Sequence, residues 1–128
     1  MNKLKNEIIS SAVSRLHVSE QGAGIKRYCF SPEFTGFSGH FPGFPILPAI
    51  VQVLCGLVVA EELKESPLEP ITIEKAKFLL KLRPEQEIEV QCRERSIHGT
   101  EGFDIRITSD EGLASSFLMT YALKDGEK

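Results

Sequence analysis

The pattern of apolar and polar positions divides the chain into a strand pair, an irregular stretch, one helix and a run of strands. Residues 8–19 alternate loosely through Ile9, Val13 and Val18, and Gln21-Gly22-Ala23-Gly24 then supplies a turn. The spacing predicts a hairpin whose return strand covers residues 25–30. Residues 2–9 also fit a short amphipathic helix, the alternative to the first strand. From 31 to 48 the glycines and prolines forbid regular structure, and an ordered loop of that length in a small protein usually carries function.

After Pro48, which suits the start of a helix, residues 49–63 are apolar on nearly every face: Ile50, Val51, Val53, Leu54, Leu57, Val58 and Val59. Such a helix must be wrapped by other elements. Pro67 and Pro70 end it and lead into a strand over 71–82. There Ala76, Phe78, Leu80 and Leu82 form a core face, while Lys75, Lys77, Leu79, Lys81 and Arg83 form a mostly basic one. Three more strands follow, over 87–96, 103–109 and 113–124, with turns at His98-Gly99 and Asp110-Glu111-Gly112. The economical packing is α+β, an antiparallel sheet curled around the one apolar helix. Its open edges favour pairing with a second copy, so at least a dimer is expected.

A length of 128 residues with 41% hydrophobic content suits one domain, residues 1–128. A net charge of -3, from 15 basic and 18 acidic residues, gives no global basic field and speaks against nucleic acid as a partner. Charged residues are 26% of the chain, yet the 27 residues 34–60 contain none. Pro42, Pro45 and Pro48 prevent that run from being a membrane span, and MNKLKNEIIS has no secretory pattern, so a cytoplasmic protein is expected. Cys29, Cys55 and Cys92 are odd in number and widely spaced, fitting neither a disulfide framework nor a zinc site.

His40 is the only group in the uncharged run that titrates near neutrality. It sits beside a glycine, ahead of an apolar helix. A neutral imidazole in a dry pocket can remove a proton acidified by a thioester carbonyl, and a histidine can equally just satisfy loop backbone groups. The string from Phe37 to Pro48, FSGHFPGFPILP, resembles the GHFPxxPxxP pattern of beta-hydroxyacyl-(acyl carrier protein) dehydratases, which have the hotdog fold. It is most similar to the offshoot associated with aryl polyene and related lipid pathways. Weaker similarity continues through Glu74-Lys75-Ala76-Lys77-Phe78 and Arg83-Pro84.

The resemblance implies that His40 is the base acting on C2 of a 3-hydroxyacyl thioester and that the backbone N–H of Ala49 polarises the thioester carbonyl. Free N–H groups at a helix start suit a developing oxyanion. The family usually has glycine at that position, and the methyl group of Ala49 is a mild departure. Phe41, Gly43, Phe44, Pro48 and Leu54 would line the acyl site, and no metal or redox cofactor is implied. Lys75, Lys77, Lys81 and Arg83 would dock an acidic acyl carrier protein, with a merely solvated strand face as the other reading.

One departure is serious. The family's general acid, a Glu or Asp fourteen residues after the histidine, corresponds here to Leu54, which has no proton to donate. Gln52 and Cys55 point roughly 200° and 100° away from residue 54 on a helix. Gln52 reads as a hydrogen-bonded core or interface amide, and Cys55 as core packing. His17 and His98 read as surface residues, and Glu61 and Glu62 as solvated residues late in the helix.

Three functions follow. The first is a dehydratase of carrier-protein or coenzyme A thioesters, acting as a dimer or trimer of dimers, whose hydroxyl leaves through an ordered water or another subunit's group. The second is a non-catalytic or half-active subunit that binds acyl carrier protein or forms a heterodimer with a related, active dehydratase. A hotdog thioesterase ranks last, because no carboxylate is evident near the histidine.

Overall fold

Six antiparallel strands and one buried helix make up the core of the computed structural model, which describes residues 2–37, 43 and 45–124. In chain order the elements are α1 (Asn2–Ser10), β1 (His17–Val18), β2 (Gly24–Cys29), α2 (Ala49–Lys64), β3 (Leu68–Phe78), β4 (Glu87–Ile97), β5 (Thr100–Ser109) and β6 (Gly112–Leu123). A 3-10 turn covers Thr35–Phe37. The sheet order is β1-β2-β4-β5-β6-β3, so β3, which follows the helix in sequence, closes one edge.

The α+β architecture is the one expected from the pattern, and its reason is the apolar helix. Val51, Cys55, Val58, Val59 and Ala60 are buried against sheet residues that include Tyr28, Val90, Cys92, Phe103, Ile105, Phe117 and Met119. Helix and sheet approach closely at Gly56. A Cβ there would lie 2.9 Å from Ile105 Cγ2 and 3.1 Å from Phe117 Cζ, and the Cys92 thiol donates to the Gly56 carbonyl at 3.4 Å. The helix ends on Glu65, whose left-handed backbone (φ 55°) lets its N–H donate to the Glu61 and Glu62 carbonyls.

Of the hairpin expected over residues 8–30, the return strand forms as β2, while the first strand is present only as His17 and Val18, paired with Ile25 and Gly24. Asn2–Ser10 is helical. Leu4 and Ile8, one helical turn apart, explain this: Ile8 is buried and Leu4 packs on the core, while Ile9, Val13 and Val18, which suggested alternation, are exposed. The predicted turn at His98-Gly99 is present, with positive φ at both residues (53° and 76°), the backbone a two-residue hairpin turn requires.

β3 departs most from expectation. It ends at Phe78 rather than at 82, and two register shifts against β6 fall between Pro70 and Thr72 and between Glu74 and Lys77. Each bulge inserts one residue and reverses which parity faces the helix. Ile73 and Phe78, paired with Met119 and Ser115, therefore share the inner face, whereas Thr72, Glu74 and Lys77 share the outer one. Lys75 lies inside the second bulge with φ 52°. The continuous basic face expected through Lys75, Lys77, Lys81 and Arg83 is broken there. Ala76 and Phe78 are exposed, and of the expected core face only Leu82 is buried and Leu80 half-buried.

Candidate active site

The chain on either side of the histidine motif is held by specific contacts. On the leading side, Phe30 and Phe34 stack with ring centres 4.4 Å apart, and Phe37 packs edge-on against Phe34 at 5.6 Å. Glu7 of α1 accepts both the backbone N–H of Thr35 at 2.9 Å and its hydroxyl at 2.6 Å. These bonds hold the Glu7 carboxyl below its ordinary pKa, because the charged form is the better acceptor. His40, Phe41 and Phe44 lie outside the described residues. Gly43 is exposed with φ 83°, a left-handed conformation that glycine adopts without strain.

On the trailing side, buried Leu47 is gripped twice. Its N–H donates to the Leu82 carbonyl at 2.8 Å, and its carbonyl accepts from Gln52 Nε2 at 3.1 Å. Pro48 is the helix N-cap with φ -65° and ψ 157°, and no side chain among the described residues caps the helix. Val51 and Gln52 both donate to the Pro48 carbonyl at 3.1 Å. The N–H groups of Ala49 and Ile50 have no acceptor among the described residues, and both residues are exposed. Two free donors therefore stand at the positive end of the helix dipole, suited to an oxyanion or carbonyl oxygen.

Leu54 is half-buried and packs on the core. Cys55 is wholly buried, and burial pushes its thiol pKa up to about 12, so it stays protonated and is no nucleophile near neutral pH. Gln52, 4% exposed, makes the bond to Leu47, as expected of a core amide. Glu61 is not simply solvated. It is half-buried, pairs with Lys5 at 2.8 Å and accepts the Leu68 N–H at 2.9 Å, joining α1, α2 and β3. Glu62 is exposed and pairs with Lys26. His17 is exposed, and exposed His98 meets Glu74 Oε1 at 3.0 Å.

The four cations expected to dock a carrier are exposed and make no ion pair among the described residues. Lys81 and Arg83 flank Leu82, the residue bonded to Leu47, so they stand beside the helix start; Lys75 and Lys77 lie on the sheet edge. The Glu7–Thr35 link joins residues 28 apart in the chain, and no local pattern in the sequence signals it.

A buried helix in an antiparallel sheet, entered through a glycine- and proline-rich loop, defines the hotdog fold, and solved structures agree. A chain of the dehydratase heterocomplex ApeI:P from Xenorhabdus doucetiae superposes with a TM-score of 0.74 at 21% identity, covering 87% of this chain and 96% of its own. A hypothetical thioesterase solved with coenzyme A from Streptococcus pneumoniae gives 0.68 at 9% identity, covering 97% and 96%. In sequence, the family described as ApeI dehydratase matches residues 17–117. A 3-hydroxyacyl-[acyl-carrier-protein] dehydratase FabZ from Alkaliphilus metalliredigens is 33% identical over 119 residues, covering 84% of this chain and 78% of its own. The chain belongs to the ApeI-like dehydratase family.

Proposed function

We propose that this chain provides the base and the carbonyl-polarising donor of a 3-hydroxyacyl-thioester dehydratase site. The observation that carries the reading is the helix start that follows the Gly-His-Phe-Pro motif in a member of this family, with no acceptor for Ala49 N–H among the described residues. The substrate is a thioester of acyl carrier protein or coenzyme A. Ala49 N–H donates to the thioester oxygen as charge develops there, and such a donor is worth roughly 100- to 1,000-fold in rate. His40 takes the C2 proton, the C3–O bond breaks, and the hydroxyl departs as water, leaving a trans-2-enoyl thioester. Phe41, Gly43, Phe44, Pro48 and Leu54 line the acyl path, and Lys75, Lys77, Lys81 and Arg83 steer an acidic carrier toward the helix start. This chemistry calls on no metal or redox cofactor.

Leu54 favours a second reading, in which the chain is a half-active subunit completed by a related dehydratase. No carboxylate occurs between Glu33 and Glu61, so the proton for the departing hydroxyl comes from a water or from another subunit. The β3 edge is suited to join subunits: Ile71, Ile73, Phe78 and the following Leu79 are large, apolar and exposed. A homodimer, a trimer of dimers or a heterodimer would cover them.

The test is hydration of a trans-2-enoyl thioester by the purified protein, alone and mixed with a dehydratase that retains the helix carboxylate, with His40→Ala in parallel. Activity that disappears in His40→Ala supports the reading. Equal rates for wild type and variant in both settings would sink it, and a fully active homodimer would dismiss the half-active version.

A further inference from the structure

We propose that Gln52 is the positioning residue of the helix start, a buried strut that fixes where the free Ala49 and Ile50 N–H groups point. The side chain folds back along α2. Its Nε2 donates to the carbonyl of Leu47, one residue before the N-cap, at 3.1 Å. Only this orientation of the amide makes a bond there, since reversing it would set two oxygens against each other. Leu47 is fixed from the other side by Leu82, and Pro48 has a φ locked by its ring. Rotation at the helix start is thus limited by two hydrogen bonds on one residue. Because no side chain among the described residues caps the helix, Gln52 does a cap's orienting work from inside the fold while leaving the first N–H groups open.

The other half of the amide shows that packing alone does not account for it. Gln52 is 4% exposed, and its Oε1 is buried with no donor among the described residues. An acceptor left so is costly, and an apolar residue of similar length would avoid that cost. An amide kept in an apolar helix under that penalty is expected where geometry matters more than stability.

The catalytic part of this inference rests on the function proposed above, but the strut can be tested without turnover. Gln52→Met conserves length and removes both polar atoms. The expected result is a urea midpoint equal to or above that of wild type, with exchange of the Leu47 amide hydrogen faster by roughly three- to tenfold, the factor carried by one such hydrogen bond. Exchange of sheet amides such as those of Phe103 and Met119 should not change. With an enoyl thioester, kcat should fall while KM moves little. Unchanged Leu47 exchange would overturn the strut. So would acceleration across the whole sheet with a lowered midpoint, the mark of a general packing defect. A wild type with no hydration activity would contradict the proposed function, yet local acceleration at Leu47 would still support the strut.

Discussion

Glu7 and Thr35 are joined twice, the carboxylate taking the backbone N–H at 2.9 Å and the hydroxyl at 2.6 Å, so the first helix grips the chain just ahead of the histidine motif. The folded-state pKa of Glu7 lies below its ordinary value because of these bonds. Its contribution to stability is therefore present above the unfolded-state pKa and is lost as pH falls through the folded-state one. Glu7→Gln should melt below wild type near pH 7, and the gap should narrow as pH falls through the lowered folded-state pKa and the carboxyl becomes neutral. A gap that persists in acid would show that the carboxylate charge is not the cause.

Gly56 marks a close approach of helix to sheet. Gly56→Val would place methyl groups where a Cβ alone already meets Ile105 at 2.9 Å, and overpacking of this kind costs about 1–3 kcal/mol. Urea denaturation should show the loss. A variant as stable as wild type would mean that the helix can shift away from the sheet without penalty.

The sheet edge yields a prediction about assembly. Ile73 and Phe78, 40% and 43% exposed, lie on the inner face of β3, and the combined Ile73→Lys, Phe78→Lys variant should shift the protein from dimer to monomer in light scattering. A wild type that is already monomeric at micromolar concentrations would refute pairing of two copies and leave only a different subunit as partner.

Lys81→Glu with Arg83→Glu should slow turnover of carrier-bound substrate at low salt while sparing a small thioester substrate. Steering by exposed charges is long-ranged and screened within about 10 Å at 0.1 M salt. Equal slowing of both substrates would place these residues in catalysis or folding instead of docking.

The helix and the last three strands were legible because their signals are local. Pro48 and the uncharged run announce α2, and alternation with turn residues announces β4, β5 and β6. The first helix was legible only as the alternative over residues 2–9, because Ile9, Val13 and Val18 alternate loosely like a strand although all three are exposed. The bulges of β3 were illegible for a different reason. Register is a property of two strands, and nothing in residues 71–82 alone tells that Lys75 will be displaced from its row. At the site, Gln52 was recognisable as a bonded core amide from its apolar neighbours, but its partner is a loop carbonyl, which any residue would offer. Ala49 was legible through the motif, and its free N–H follows from proline standing where a capping side chain would.

The most direct test of the account is Leu54→Glu, assayed for dehydration of a 3-hydroxyacyl thioester with and without His40→Ala. A positioned acid contributes about 100- to 10,000-fold, so a gain within that range that vanishes in the double variant is the predicted result. No gain in a folded Leu54→Glu protein would contradict the claim that this site lacks only its acid.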